Sequence, residues 1–148
     1  THYLFMEYTI RQVNKSDYLK GHLDLYKHLT HIDPNQITKF DYETFIDNLN
    51  NNHSIFVICD NDKIISTFTL FIEQKLLRNL GRVGHVEDVV VDPSYSNKGL
   101  GKKMMNFAMN YCKNNGCYKI ILNCSDNNVG FYEKCGFIKK ENEMVHYF

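Results

Sequence analysis

The chain is 148 residues long, enough for one domain around a single sizeable core, and its 17 Lys and Arg balance 17 Asp and Glu. That balance gives no global attraction to nucleic acid or an anionic membrane, and no apolar run is long enough to span a bilayer, so neither is expected as a partner. With 43% hydrophobic and 23% charged residues the composition is that of a globular protein, expected to form one domain over residues 1–148.

The N-terminus carries no signal-peptide pattern, which predicts a cytoplasmic protein. The five cysteines are Cys59, Cys112, Cys117, Cys124 and Cys135. An odd count without a CxxC pair, mostly inside predicted helices and strands, reads as reduced and mostly buried thiols. No pair has zinc-ligand spacing and the histidines form no ligand cluster, so no metal is expected. His28 and His31 read as a solvated pair and His85 as structural. Only Arg11, Arg78 and Arg82 carry guanidinium groups, the side chains best suited to gripping phosphate or carboxylate in a fork.

Residues 8–13 alternate as an edge strand. Ser16 or Asp17 caps a helix running to about Leu29, with Leu19, Leu23, Tyr26 and Leu29 or Thr30 on one face. Asp33-Pro34 marks a loop, and Asp41 caps a second short helix through Phe45, Ile46 and Leu49. Residues 54–59 and 63–71 form a hairpin about Asn61-Asp62, the second strand extending towards Leu77. A Val-rich strand covers residues 86–91 and ends at Asp92-Pro93. Residues 99–115 are the most helix-like stretch, with Leu100, Met104, Phe107, Ala108 and Tyr111 on one stripe and a stop at Asn115-Gly116. Residues 118–124 are strongly apolar, the pattern of a strand covered on both faces. Asn127 or Asn128 starts a short helix through Phe131 to Lys134, Gly136 ends it, and the chain from Phe137 returns as a strand. The order β-α-α-β-β-β-α-β-α-β predicts an α/β (α+β) fold, a mixed central β-sheet flanked by helices on both faces.

One loop carries chemistry on physical grounds. A strand, then Asp92-Pro93, then Gly99-Leu100-Gly101 opening a helix, places unpaired N–H groups and partial positive charge where glycines let an anion approach. Lys98, Lys102 and Lys103 add charge, so the segment suits a phosphate or pyrophosphate. It is neither a Walker loop nor a Rossmann fingerprint. By itself the Gly-x-Gly pair says no more than a tight turn.

Three further features change that reading. The run Val89 to Val91 with Asp92-Pro93, the glycine loop, and Asn128-x-x-Phe131-Tyr132-x-x-x-Gly136-Phe137 together resemble the GNAT acetyltransferase superfamily. Gly84-His85-Val86-Glu87-Asp88-Val89-Val90-Val91, followed by Gly116-Cys117-Tyr118-Lys119-Ile120-Ile121-Leu122, is similar to the branch that acetylates an amino-sugar phosphate, over about residues 75–144. The resemblance implies a GNAT fold and acetyl transfer from acetyl-CoA to the 2-amine of D-glucosamine 6-phosphate, a step towards UDP-N-acetylglucosamine. It also implies a homodimer whose active sites borrow residues from the partner subunit. A GNAT enzyme acting on a polyamine, amino acid or protein N-terminus, and a non-catalytic CoA-binding module, are the competing readings.

The resemblance assigns roles by position. Val89, Val90 and Val91 pair through their backbone with the pantetheine arm. Asn97, Lys98, Gly99, Leu100, Gly101 and Lys102 hold the pyrophosphate, and Asn128, Tyr132, Glu133 and Lys134 complete the CoA site. Glu87 and Asp88 contact the sugar; Thr30, Lys75 and Arg78 fall at further acceptor contacts, and Lys119 is a candidate for the phosphate. Tyr132 is the expected acid for the leaving thiolate, because a phenol can donate a proton as charge develops on sulfur. Strand alternation would send Glu87 and Asp88 to opposite faces, and a backbone N–H of Val89-Val90 is the natural oxyanion donor. Three positions depart from the resemblance. Ser96 stands where the loop pattern has Gln or Arg, which shifts pyrophosphate charge onto Lys98 or Lys102. Tyr147 stands where some relatives carry Arg. Asn123 stands where they carry Asp, so it can orient the amine but cannot deprotonate it.

Overall fold

In the computed structural model, which describes residues 8–148, five strands hydrogen-bond into one sheet in the order β1-β2-β3-β4-β5. They are β1 (Ile10–Gln12), β2 (His53–Asp60), β3 (Lys63–Gln74), β4 (Arg82–Val91) and β5 (Cys117–Leu122). The first three junctions are antiparallel and the β4–β5 junction is parallel. The β2–β3 turn works because Asn61 tolerates the left-handed φ of 52° that a tight hairpin demands. The parallel junction needs a crossover, and α4 (Leu100–Asn114) supplies it.

Helices cover both faces of the sheet, as the sequence predicts. On one face Phe56, Ile58, Phe68, Leu70 and Val86 pack with Leu100, Met104, Met105 and Ala108 of α4. On the other, Val57, Ile64 and Val90 pack with Leu25 of α1 (His22–Leu25) and Tyr42 of α2 (Lys39–Asp47). A four-residue turn, α3 (Leu77–Leu80), joins β3 to β4, and α5 (Val129–Lys134) follows β5.

Four local expectations are corrected. The first predicted helix is broken: Gly21 takes φ 80°, and 3₁₀ turns Lys15–Lys20 and Tyr26–His28 flank the short α1. Leu19 therefore faces solvent at 78% exposure, Leu29 is also exposed, and Asp17 turns inward to accept two hydrogen bonds from Arg11 and one from the Asn14 amide. Thr38, not Asp41, caps α2; its hydroxyl accepts the Asp41 amide while the Asp41 carboxylate accepts the Thr38 amide. β5 is not covered on both faces. It is the last strand of the sheet, and Tyr118 and Ile121 are each 40% exposed. Finally, residues 137–148 form no strand, and Ile138, Met144, Val145 and Tyr147 are exposed. A strand exists only where a neighbouring edge takes its backbone groups, and this segment pairs with none of the described residues. Among the cysteines, all free, only Cys112 is buried.

Candidate active site

The site begins where β4 and β5 part. Their register runs from Arg82 with Cys117 to Val86 with Leu122 and then stops. From Glu87 to Val91, β4 hydrogen-bonds only to β3, so its other backbone edge is open to a ligand. A β-bulge marks the parting: Thr67 pairs with Val90 and Thr69 with Glu87, leaving Phe68 opposite both Asp88 and Val89. Asp88 absorbs the extra residue at φ 51°, a costly conformation for a non-glycine residue and one that recurs at functional sites. The bulge also overturns the simple alternation expected for Glu87 and Asp88. Both acids are exposed there, and Glu87 shares a register face with Val90. Desolvation by surrounding atoms, then the Asp88 charge and a smaller effect of Glu143, push the Glu87 carboxyl above the usual range.

The open edge of β4 leads directly to the N-terminus of α4. No side chain caps that end, so its first-turn amides are unspent. Gly99 at φ 75° and Asn97 at φ 62° shape the turn, and a Cβ on Gly99 would meet nothing within 4 Å, so the approach is clear. Gly101 has a different purpose: a Cβ there would lie 2.8 Å from the Phe131 ring, so the glycine lets α5 seat against the first turn of α4. Lys98 and Lys102 are exposed beside the loop. Tyr95 was not anticipated as part of this apparatus. Its hydroxyl bonds to Asp60, and the Lys98 and Lys63 ammonium groups lie 5.8 and 5.9 Å from its ring centroid. Only its place three residues before Lys98 hinted at that.

Tyr132 is buried on α5 between Phe131 and Phe137, with ring centroids 5.0 and 5.8 Å away. Burial, then the neighbouring Cys124 and Cys135 thiols, push its phenol up to about 12, so it is protonated at neutral pH and available as a donor. Among the described residues, its hydroxyl has no hydrogen-bond partner. Asn123 follows β5 directly, one residue beyond the Val86–Leu122 pair, where the two strands part. Asn128, Glu133 and Lys134 are exposed around α5. One chain thus gathers an open strand edge, an uncapped helix end, a protonated phenol and a carboxylate pair. That arrangement fits a long anionic thioester lying along β4 with its phosphates at α4.

The remaining acceptor candidates lie elsewhere. Lys75 follows β3 and Arg78 belongs to α3, at the opposite end of β4; Lys119 pairs near that end, its neighbour Val83 being its register partner. Five residues of strand at about 3.4 Å each put Arg82 roughly 17 Å from Glu87. Arg78, Asn79 and Leu80 all take left-handed φ, and the Arg78 guanidinium sits 5.4 Å from the Tyr118 centroid, with Lys119 5.8 Å from the same ring. Lys75 pairs with Glu73 at 3.3 Å, and Glu73 also bonds His85 at 3.0 Å. Thr30 is held by its amide to the Tyr26 carbonyl, just after the 3₁₀ turn Tyr26–His28. No group of three or more metal-ligating side chains occurs among the described residues.

A family model described as acetyltransferase (GNAT) family matches residues 19–137. The chain belongs to the GNAT acetyltransferase family. Within it, the chain is 40% identical to glucosamine 6-phosphate N-acetyltransferase of Arabidopsis thaliana, over 95% of this chain and 97% of that protein. It is 38% identical to the enzyme of that name from Candida albicans, over 93% and 94%. The crystal structure of the Arabidopsis enzyme superposes with a TM-score of 0.91, covering 96% of this chain and 99% of that one. The GNAT fold expected from sequence is therefore the fold observed.

Proposed function

We propose that the protein transfers the acetyl group of acetyl-CoA to the 2-amine of D-glucosamine 6-phosphate, giving N-acetyl-D-glucosamine 6-phosphate and CoA. The observation that carries this reading is the Glu87-Asp88 bulge at the open edge of β4, with Tyr132 in the core cluster that Val89 and Val91 pack against. The relatives' activity supports the choice of acceptor. The product is the form of the amino sugar that UDP-N-acetylglucosamine synthesis consumes.

Val89, Val90 and Val91 offer backbone groups to the pantetheine arm, and an amide of Val89-Val90 donates to the carbonyl oxygen as it gains charge. Asn97 to Lys102 hold the pyrophosphate; Asn128, Glu133 and Lys134 close the CoA site. The neutral amine forms a C–N bond to the acetyl carbon, the C–S bond breaks, and Tyr132 protonates the departing sulfur. Glu87 and Asp88 accept hydrogen bonds from the sugar, while Asn123 orients the amine and the proton leaves through water.

The protein acts as a cytoplasmic single-domain homodimer without a metal. The separation of Lys75, Arg78 and Lys119 from Glu87 supports sharing: each site takes its phosphate charge from the partner subunit, with Thr30 contributing from the acceptor-facing helices. The exposed Ile138, Met144 and Val145, with Tyr118 and Ile121 on the free edge of β5, give such a dimer its apolar surface.

Free-thiol release from acetyl-CoA tests the function, comparing glucosamine 6-phosphate, glucosamine and spermidine. Turnover confined to the first is expected. Preference for spermidine would favour another amine acceptor, and release with none would favour a CoA-binding module.

A further inference from the structure

Lys98, beside the donor loop, is held differently from most of the placed lysines. Lys15, Lys27, Lys39, Lys63 and Lys75 each lie against a carboxylate. Among the described residues Lys98 has no ion-pair partner. Its ammonium instead lies 5.8 Å from the centroid of the Tyr95 ring.

That ring is fixed from several directions. The Tyr95 amide donates to the Asp92 carbonyl at 2.8 Å within the 3₁₀ turn Pro93–Tyr95. Its hydroxyl donates to the carboxylate of Asp60, the last residue of β2. Tyr8 meets the ring edge-on with centroids 6.3 Å apart, and the ring packs on the core cluster that includes Leu100 and Met104 of α4. The Asp60 hydrogen bond pushes the phenol up to about 12, so the ring is neutral at neutral pH.

Both carboxylates of this cluster are engaged. Asp60 accepts from the Tyr95 hydroxyl, while Asp92 accepts the Ser94 amide at 2.9 Å and pairs with Lys63 at 3.0 Å. Lys63 also lies 5.9 Å from the Tyr95 centroid, so one of the two ammonium groups on the ring is paired and the other is not. The difference is physical. A salt bridge orders a lysine and compensates its charge; a neutral aromatic face orders it through the ring quadrupole and leaves the charge for an anion. Lys98 stands two residues before Leu100, at the end of α4 that no side chain caps.

We propose that Tyr95 is a positioning residue for the acyl donor: its ring, anchored by Asp60, holds Lys98 with its charge uncompensated, and Lys98 delivers that charge to the CoA pyrophosphate. This deepens the acetyl-CoA reading of the site and rests on it. It also gives the departure at Ser96 a physical counterpart, because a lysine set on a fixed ring supplies charge at a defined place in a loop without a guanidinium.

The experiment titrates CoA, and dephospho-CoA, which keeps the pyrophosphate but lacks the 3′-phosphate, into the parent, Tyr95→Leu, Lys98→Gln and the double variant. Lys98→Gln should weaken both ligands roughly tenfold, the loss of a charge-assisted bond. Tyr95→Leu should weaken both by one common factor, roughly threefold, the scale of an exposed cation–π contact. In the Lys98→Gln background Tyr95→Leu should add nothing. Turnover of S-acetylpantetheine, which has no pyrophosphate, should be the same in Tyr95→Leu and the parent. Parent-like affinity of either single variant overturns the proposal, as do effects that multiply in the double variant. A loss confined to CoA overturns it by placing Lys98 at the 3′-phosphate, and a parallel fall with S-acetylpantetheine does so by assigning the effect to distortion of the site. If Tyr95→Leu does not fold, proton NMR of the parent decides: the Lys98 ε-methylene resonance, assigned by its absence from Lys98→Gln, should be shifted upfield by the ring, and an ordinary lysine shift overturns the contact. A parent that binds no CoA defeats the acetyl-CoA reading itself, whereas a parent that binds it with an indifferent Tyr95→Leu defeats only the Tyr95 assignment.

Discussion

The two halves of the site are built differently. The donor half lies within one chain and one short stretch of it: the β4 edge, the α4 N-terminus and α5 are tied together by the Gly101–Phe131 contact and the Tyr95 cluster. The acceptor half has its carboxylates at the bulge and its cations at the other end of β4, one of them on three successive left-handed residues. A cosubstrate common to a whole superfamily is held by backbone and fold. In the proposed dimer, an acceptor particular to one branch is held by side chains that a second subunit brings.

The largest test of this contrast is Tyr132→Phe. Removing the proton donor while keeping the buried ring should lower kcat by about a hundredfold, with KM for both substrates within a small factor of the parent in steady-state assays. An unchanged kcat would take the phenol out of the chemistry. Arg78→Ala should act the other way, raising KM for glucosamine 6-phosphate about tenfold or more, the loss of a charge-assisted bond, while acetyl-CoA binding by titration is unaffected. An unchanged sugar KM would remove Arg78 from the site.

The smallest effect is expected at Asn123. Without an acid there, Glu87 is a carboxylate beside the acceptor whose pKa is raised, by desolvation and then the Asp88 charge. A raised carboxyl keeps its proton to higher pH, so an accepting role is lost as pH falls through that raised value, and activity should climb above the ordinary carboxylate range. Asn123→Asp adds a second titrating group and should reshape the acid limb of the pH–rate profile with a modest change in kcat. Profiles that overlay would mean position 123 is not tied to proton removal.

The sequence revealed the donor half better than the acceptor half, for physical reasons. Gly99 and Gly101 announce a close backbone approach, and the amphipathic stripe of Leu100, Met104 and Ala108 fixes the helix behind them. The element order followed from turn residues and short connections, apart from the final strand, which finds no partner among the described residues. The bulge at Asp88 left no local mark, because no glycine accompanies the positive φ. Asp17 and His22 looked like ordinary polar helix residues; that they are buried depends on the break at Gly21 and on Arg11 and Thr67, six and 45 residues away.

The central claim, a donor half complete in one chain and an acceptor half completed by another, is tested most directly by mixing subunits. Tyr132→Phe and Arg78→Ala proteins, each impaired alone, are unfolded together, refolded and assayed with acetyl-CoA and glucosamine 6-phosphate under subsaturating sugar. The account predicts activity well above the average of the two parents, because a mixed dimer holds one site with both an intact phenol and an intact guanidinium. Activity equal to that average would contradict it, and would place Arg78 in the same chain's site or in none.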